Sequence, residues 1–128
     1  MQFSTKTEYG LRAMVVLAEK YPETNSIAEI SEQEGISQKY LERIIQELRK
    51  SDLVVSFKGK SGGYVLSRNP REIRVSEIVE SLEGSLDETK CTSKECASKK
   101  CPSKKVWITL GREVKKTLYK IKLSDLLE

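Results

Sequence analysis

The stretch from residue 26 to residue 51 holds two short helix patterns in close succession. In "SIAEISEQEG", Ser26 is placed to cap a helix with Glu29 three residues later, and Gly35 is placed to end it. "SQKYLERIIQELRKSD" follows directly, with Ser37 as its cap. Its apolar residues recur at helical spacing: Tyr40, Leu41, Ile44, Ile45 and Leu48. Two helices joined through Gly35 and Ile36 are typical of a helix-turn-helix.

A β-hairpin is predicted immediately after the second helix. "LVVSF" is rich in β-branched and aromatic residues, "KGKSGG" is a glycine turn, and "YVLS" reads as a second strand. A further helix is expected before this unit, over 4–20 with Ser4 or Thr5 as cap, and another after it in "VSEIVESLEG". The predicted order is a helix, a short helix, a helix and a hairpin with a basic tip. This order is typical of a winged helix.

A long helix is predicted near the end of the chain, from about Ser103 to Lys122. Its apolar residues form one stripe, made of Val106, Leu110, Val114, Leu118 and Ile121. The predicted fold is therefore mainly α with a small β-hairpin wing. We expect a winged helix-turn-helix domain at 1–84, a cysteine-containing loop at 85–103, and a helix with a short tail at 104–128.

Charge is unevenly distributed along the 128 residues, whose net charge is +4. Residues 37–74 carry nine Lys/Arg against four Asp/Glu, and residues 90–122 carry eleven against two. Concentrated positive charge suits a polyanion such as double-stranded DNA, although solvated lysine-rich surfaces would give the same composition. The chain has no histidine and no phosphate-binding glycine loop, and its cysteines lack a paired base, so we do not expect an enzyme.

The candidate DNA contacts lie on the second helix and on the hairpin tip. A helix fits the major groove, where base edges present a distinguishable pattern of donors and acceptors. Glycines beside lysines let the backbone of a hairpin approach a phosphate or enter a minor groove. The helix offers Ser37, Gln38, Lys39, Tyr40, Glu42 and Arg43, and the hairpin offers Lys58, Gly59, Lys60 and Gly62.

All three cysteines, Cys91, Cys96 and Cys101, fall in "CTSKECASKKC". The chain opens without the pattern of a signal peptide and contains no apolar run long enough for a membrane span, so we expect a cytoplasmic protein. In a reducing compartment, an odd number of clustered cysteines favours metal ligands or redox thiols over a disulfide framework.

The motifs "YLERII.EL....LV.S.KG..GGY.LSR.P..I.V.EI....EG" resemble the Rrf2 family of bacterial transcription regulators. The likeness also covers the opening "STKTEYGLRAM", the cysteine trio and the closing "W......V...L..I.L.DLL". This resemblance implies a winged-helix homodimer whose long C-terminal helix crosses onto the partner. The stripe from Val106 to Ile121, with Trp107 beside it, would be that helix.

The resemblance further implies a cofactor, because iron–sulfur and nitric-oxide-sensing members hold an iron–sulfur cluster with three cysteines in this loop. Cys91, Cys96 and Cys101 stand at the matching place, and the cluster would be of the 2Fe–2S or 4Fe–4S type. Some members supply a histidine as fourth ligand, where Lys104 stands here; others supply a carboxylate from the partner's first helix, where Glu8 stands. Zinc bound by the cysteines, a thiol-redox switch, and action through a protein partner remain alternatives.

Overall fold

The computed structural model describes residues 3–86 and 102–127. The first described part contains helices α1 (Thr5–Lys20), α2 (Ile27–Glu34) and α3 (Gln38–Lys50), strands β1 (Val54–Phe57) and β2 (Gly63–Leu66), a 3-10 turn (Pro70–Glu72) and helix α4 (Val75–Glu83). The second contains helix α5 (Lys104–Lys120) and a 3-10 turn (Leu123–Leu126). The predicted class, mainly α with one hairpin, is confirmed.

The helix starts follow the predicted capping residues. The Ser4, Ser26 and Ser37 hydroxyl oxygens each accept a hydrogen bond from the backbone N–H three residues later. Gly35 ends α2 in the left-handed conformation, at φ +67°. The Glu29 side chain forms an ion pair with Lys20 at 3.5 Å.

The core lies between α1, α3 and α4, with α2 and the hairpin packed at one side. Gly10 allows α1 to approach α3 and α4 closely, because a Cβ atom there would collide with the side chain of Leu82 and lie 3.3 Å from Ile44 Cγ2. The fully buried side chains include Met14, Leu17, Ile30, Leu41, Ile44, Ile45, Leu48, Ile73 and Ile78. These are the apolar faces that the helical spacing predicts.

The wing is a two-stranded antiparallel hairpin in which Val54 faces Leu66 and Phe57 faces Gly63. Its base is joined to the loop before α2, because Asn25 and Tyr64 exchange backbone hydrogen bonds of 2.9 and 2.7 Å. The hairpin is therefore fixed relative to the helix-turn-helix.

Helix α5 ends at Lys120, two residues before the predicted end, and the chain then returns to the winged-helix core. The Val75 N–H donates to the Ile121 carbonyl, and the Leu123 N–H donates to the Ile73 carbonyl, both at 2.9 Å. Leu123 is fully buried. The tail of 104–128 thus contributes an apolar side chain to the core of the predicted 1–84 domain.

No helix in the described part of the chain is long and apolar enough to cross a membrane.

Candidate nucleic-acid interface

Helix α3 separates an apolar face from a polar one. Leu41, Ile44, Ile45 and Leu48 are fully buried in the core. The predicted contact residues Ser37, Gln38, Lys39, Glu42 and Arg43 are all exposed. The first turns of α3 therefore present donors, acceptors and positive charge to solvent on the side away from the core.

The basic side chains of this surface are free to contact a ligand. Within residues 3–86 and 102–127, Lys39, Arg43, Lys58 and Lys60 take part in no ion pair. By contrast, cations elsewhere are held by carboxylates, such as Lys6 with Glu47 at 3.1 Å. Unpaired cations on one surface leave positive charge available for phosphates.

Tyr40 differs from the other predicted contacts because it is half-buried. Its ring packs edge-to-face against Tyr9 of α1, with centroids 5.8 Å apart and planes at 69°. The Arg12 guanidinium lies 5.4 Å from the centre of the Tyr9 ring, and its Nε and Nη2 atoms donate to the Glu34 side chain and carbonyl at 3.1 and 2.6 Å. Tyr9 and Arg12 thus link α1 to the turn and to the start of α3. Neither residue was predicted as part of the site, since nothing in the helical spacing pairs Tyr9 with Tyr40.

At the tip of the wing, Lys58, Gly59 and Lys60 are exposed and Gly62 is half-exposed. Gly59 has φ +108°, which favours glycine. Gly62 lies close to the backbone, because a Cβ atom on it would collide with the Phe57 carbonyl oxygen. Phe57, in the strand that the sequence predicts, is itself exposed.

Glu8 lies on the wall of a groove between α1, α4 and α5. The groove encloses about 520 Å³, and its lining is mainly apolar: Phe3, Thr7, Glu8, Leu11, Val75, Val79 and Leu118. The Glu8 side chain is exposed and has no hydrogen-bond or ion-pair partner among the described residues. The carboxylate is therefore available to a ligand.

The predicted metal ligands Cys91, Cys96 and Cys101 lie outside the described residues. In the part that the structure describes, no three His, Cys, Asp or Glu side chains are grouped to hold a metal ion. The described residues on either side of the cysteine segment both lie at α5. The Leu86 carbonyl lies against Gly111 of α5, and Pro102 precedes the first turn of the same helix.

Glu83, three residues before Leu86, is bonded to the start of α1. Its carboxylate accepts hydrogen bonds from the Ser4 N–H and from the Thr7 hydroxyl, the latter at 2.7 Å. These bonds favour the charged form and lower the pKa of Glu83 below its ordinary value. The end of α4, from which the cysteine segment continues, is thereby attached one residue from Glu8.

Comparison with known proteins gives a consistent result over the whole chain. Residues 3–128 match the Rrf2 family, which is described as an iron-dependent transcriptional regulator. The HTH-type transcriptional regulator IscR of Xenorhabdus nematophila is 35% identical, over 100% of this chain and 80% of its own length. Among solved structures, CymR, the global cysteine regulator of B. subtilis, superposes with a TM-score of 0.84 at 34% identity, covering 98% of this chain and 95% of its own. The IscR of T. potens superposes with a TM-score of 0.82 at 37% identity, covering 99% and 86%.

These relatives are transcriptional regulators and not enzymes. Three observations lead to the same conclusion: the winged helix, the free cations of α3 and of the wing, and the family match over residues 3–128. The chain belongs to the Rrf2 family of transcriptional regulators.

Proposed function

We propose that this protein is a homodimeric regulator whose binding to a double-stranded DNA operator is modulated by an iron–sulfur cluster held by Cys91, Cys96 and Cys101. The proposed organisation is a winged helix at 1–84, a cluster-binding loop at 85–103 and a dimerisation helix with tail at 104–128. The observation that carries the DNA-binding part is the exposed set of polar and basic side chains on the first turns of α3, in which Lys39 and Arg43 form no ion pair among the described residues.

In this proposal the start of α3 enters the major groove. Gln38, Glu42 and Arg43 are the side chains suited to base edges. Arginine can donate two hydrogen bonds to guanine, glutamine can donate one to adenine and accept one from it, and glutamate can accept one from cytosine. Ser37 and Lys39 are suited to phosphates at the edge of the groove. Lys58 and Lys60 of the wing extend the contact to the neighbouring minor groove, with Gly59 and Gly62 allowing close approach.

Dimerisation is proposed to use the apolar flank of α5. Val106, Trp107 and Leu110 are 59%, 49% and 41% exposed, although they are among the most apolar residues of the helix. A patch of this kind favours a protein interface. We assign it to a second copy of this chain because the apolar stripe continues to Leu118, which lines the groove beside Glu8. A two-fold dimer also doubles the phosphate contacts and imposes a spacing between half-sites.

The ends of the cysteine segment support a site at this interface. Leu86 lies against Gly111, and the segment rejoins the chain before Ser103, so its ends are separated by roughly 12 Å along α5. Val106, Trp107 and Leu110 lie on the helix between these two points. The described residues that border the cysteine segment, Leu86 and Pro102, therefore lie on either side of the proposed dimerisation surface along α5.

The donor set fits an iron–sulfur cluster. Three thiolates leave one ligand position open, and the unpartnered Glu8 of the partner subunit would supply an oxygen for it. A bound cluster would supply redox and ligand-exchange chemistry. An oxygen ligand is bound more weakly by iron than a thiolate, so Glu8 would hold the labile position that a sensor requires. The protein's own task is to place Glu8 at the groove and to carry any displacement toward α3.

Helix α1 offers a route for that displacement. Tyr9 and Arg12 follow Glu8 on α1, and they contact Tyr40 at the start of α3 and Glu34 at the end of α2. A small shift of α1 caused by ligation of Glu8 would therefore change the packing of the recognition helix. Such a shift would alter operator affinity through two arrangements of one dimer.

Anaerobic purification followed by absorption spectroscopy and analysis of iron, sulfide and zinc tests the proposal. We expect charge-transfer bands in the visible with iron and sulfide in similar amounts. Glu8→Ala should make the cluster easier to lose, whereas Glu19→Ala, at the exposed far end of the same helix, should not. A colourless protein that contains zinc, or no metal after reconstitution, would assign the cysteines to zinc binding or thiol redox, and the DNA-binding proposal would stand separately.

A further inference from the structure

Phe57 exposes an aromatic ring at the tip of the wing. The residue is 57% exposed, and it pairs with Gly63 across the hairpin, so no side chain faces the ring from the neighbouring strand. Val55, two residues earlier on the same face, is 39% exposed, and its cross-strand partner Val65 is buried outside the main core. The outer face of the wing is thus apolar up to its tip.

The surroundings of this ring are positively charged. Lys58 follows it directly, Lys60 lies on the turn, and neither is neutralised by a carboxylate in the described part of the chain. An exposed aromatic ring next to two free lysines is complementary to a surface that has a negatively charged rim and an apolar interior. The minor groove of DNA has this character, because phosphates lie along its edges and apolar side chains can insert between its base steps.

The position of the ring is fixed by the base of the wing. Besides the backbone bonds between Asn25 and Tyr64, the Thr24 hydroxyl donates to the Ser61 carbonyl at 2.8 Å. Gly63 adopts φ +145° and lies so close to the preceding loop that a Cβ atom would stand 2.6 Å from the Asn25 carbonyl oxygen. The ring is therefore presented by an ordered hairpin anchored beside α2.

We propose that Phe57 is an apolar wedge that enters the minor groove beside Lys58 and Lys60, partly unstacks one base step and bends the operator. This inference rests on the proposed DNA contact of the wing and adds a residue and a consequence to it. Apolar side chains that enter the minor groove unstack base steps and kink the duplex toward the major groove. Flexible pyrimidine–purine steps unstack most easily, so the wedge would favour such a step at a position that α3 does not contact.

The ring fits DNA better than a protein partner because of its neighbours. A docking surface for an apolar protein segment would keep free lysines away from its centre, since charged residues are depleted in the core of protein interfaces. Here two unpaired lysines, Lys58 and Lys60, follow the ring within three residues of the chain.

The test uses a short duplex carrying an operator selected by the wild-type protein from a random library. The bend is measured by energy transfer between dyes at its two ends, and unstacking by the fluorescence of 2-aminopurine placed in the wing-proximal steps. With wild-type protein we expect a bent duplex and increased 2-aminopurine emission at one step. With Phe57→Ala we expect both signals to be lost and the affinity to fall about tenfold, as for loss of one base-stacking contact.

Val55→Ala, on the same face but further from the tip, serves as the matched control and should leave bend and affinity unchanged. Phe57 could also shield Val65, so thermal unfolding of each variant is measured in parallel. Phe57→Thr provides a second variant, because threonine has a higher strand propensity than alanine. A wild-type bend that persists in both Phe57 variants would overturn the proposal. Failure of the wild-type protein to select or bind any duplex would instead refute the proposed DNA-binding function.

Discussion

Gly111→Ala is expected to weaken the attachment of α5 to the rest of the protomer. Gly111 is buried, and a Cβ atom there would stand 2.5 Å from the Leu86 carbonyl oxygen, which is backbone and cannot rotate away. Alanine in place of glycine gains about 1 kcal/mol of helix propensity, whereas overpacking a close contact costs about 1–3 kcal/mol. We therefore expect the free energy of unfolding to fall by about 1 kcal/mol.

The measurement is urea unfolding followed by circular dichroism at one fixed protein concentration, because the stability of the proposed dimer would depend on concentration. Thr117→Ala, at an exposed position of the same helix, is the control for helix propensity and should raise stability by a few tenths of a kcal/mol. A Gly111→Ala protein that is more stable than wild type by the full propensity gain would refute the close approach of Leu86 to α5.

Four further substitutions test other parts of the molecule. Arg43→Ala should weaken specific operator binding by about 1–3 kcal/mol and relax the preference at one base pair. Lys58→Ala should weaken binding to all duplexes alike and lower the slope of log affinity against log salt concentration by about 1. Fluorescence anisotropy at several salt concentrations measures both effects. Trp107→Ala should shift the protein toward monomer in sedimentation velocity, since it removes the largest exposed apolar side chain of α5. Glu83→Gln should make the free energy of unfolding, measured by urea unfolding at several pH values, depend less on pH on the acid side. The lowered pKa of Glu83 stabilises the fold above the ordinary carboxylate range near pH 4.3, and this stabilisation is lost as the pH falls through the lowered pKa.

The helices and the hairpin could be predicted because local chemistry specifies them. Ser4, Ser26 and Ser37 cap helices in sequence and in structure, and Gly35 ends α2 with a positive φ. The buried face of α3 is the apolar face found by helical spacing. These features depend on residues a few positions apart, so the sequence contains the information directly.

The long-range contacts could not be predicted in the same way. The packing of Tyr40 on Tyr9 joins residues of different helices, and no spacing rule selects that pair. The apolar stripe of the last helix predicted both of its ends to within two residues but did not reveal that Leu123 returns to the core. Phe57 reads as an ordinary strand residue, and its exposure follows only from the register that places it opposite Gly63.

The most direct test of the proposed regulation is an anaerobic binding titration of one selected operator with two forms of the protein. The first is the protein as isolated without oxygen, and the second is a variant in which Cys91, Cys96 and Cys101 are all replaced by alanine. We predict that the operator affinities of the two forms differ about 5- to 150-fold, the range of a coupling free energy between two sites. Equal affinities of both forms for every selected operator would contradict regulation through the cysteine segment.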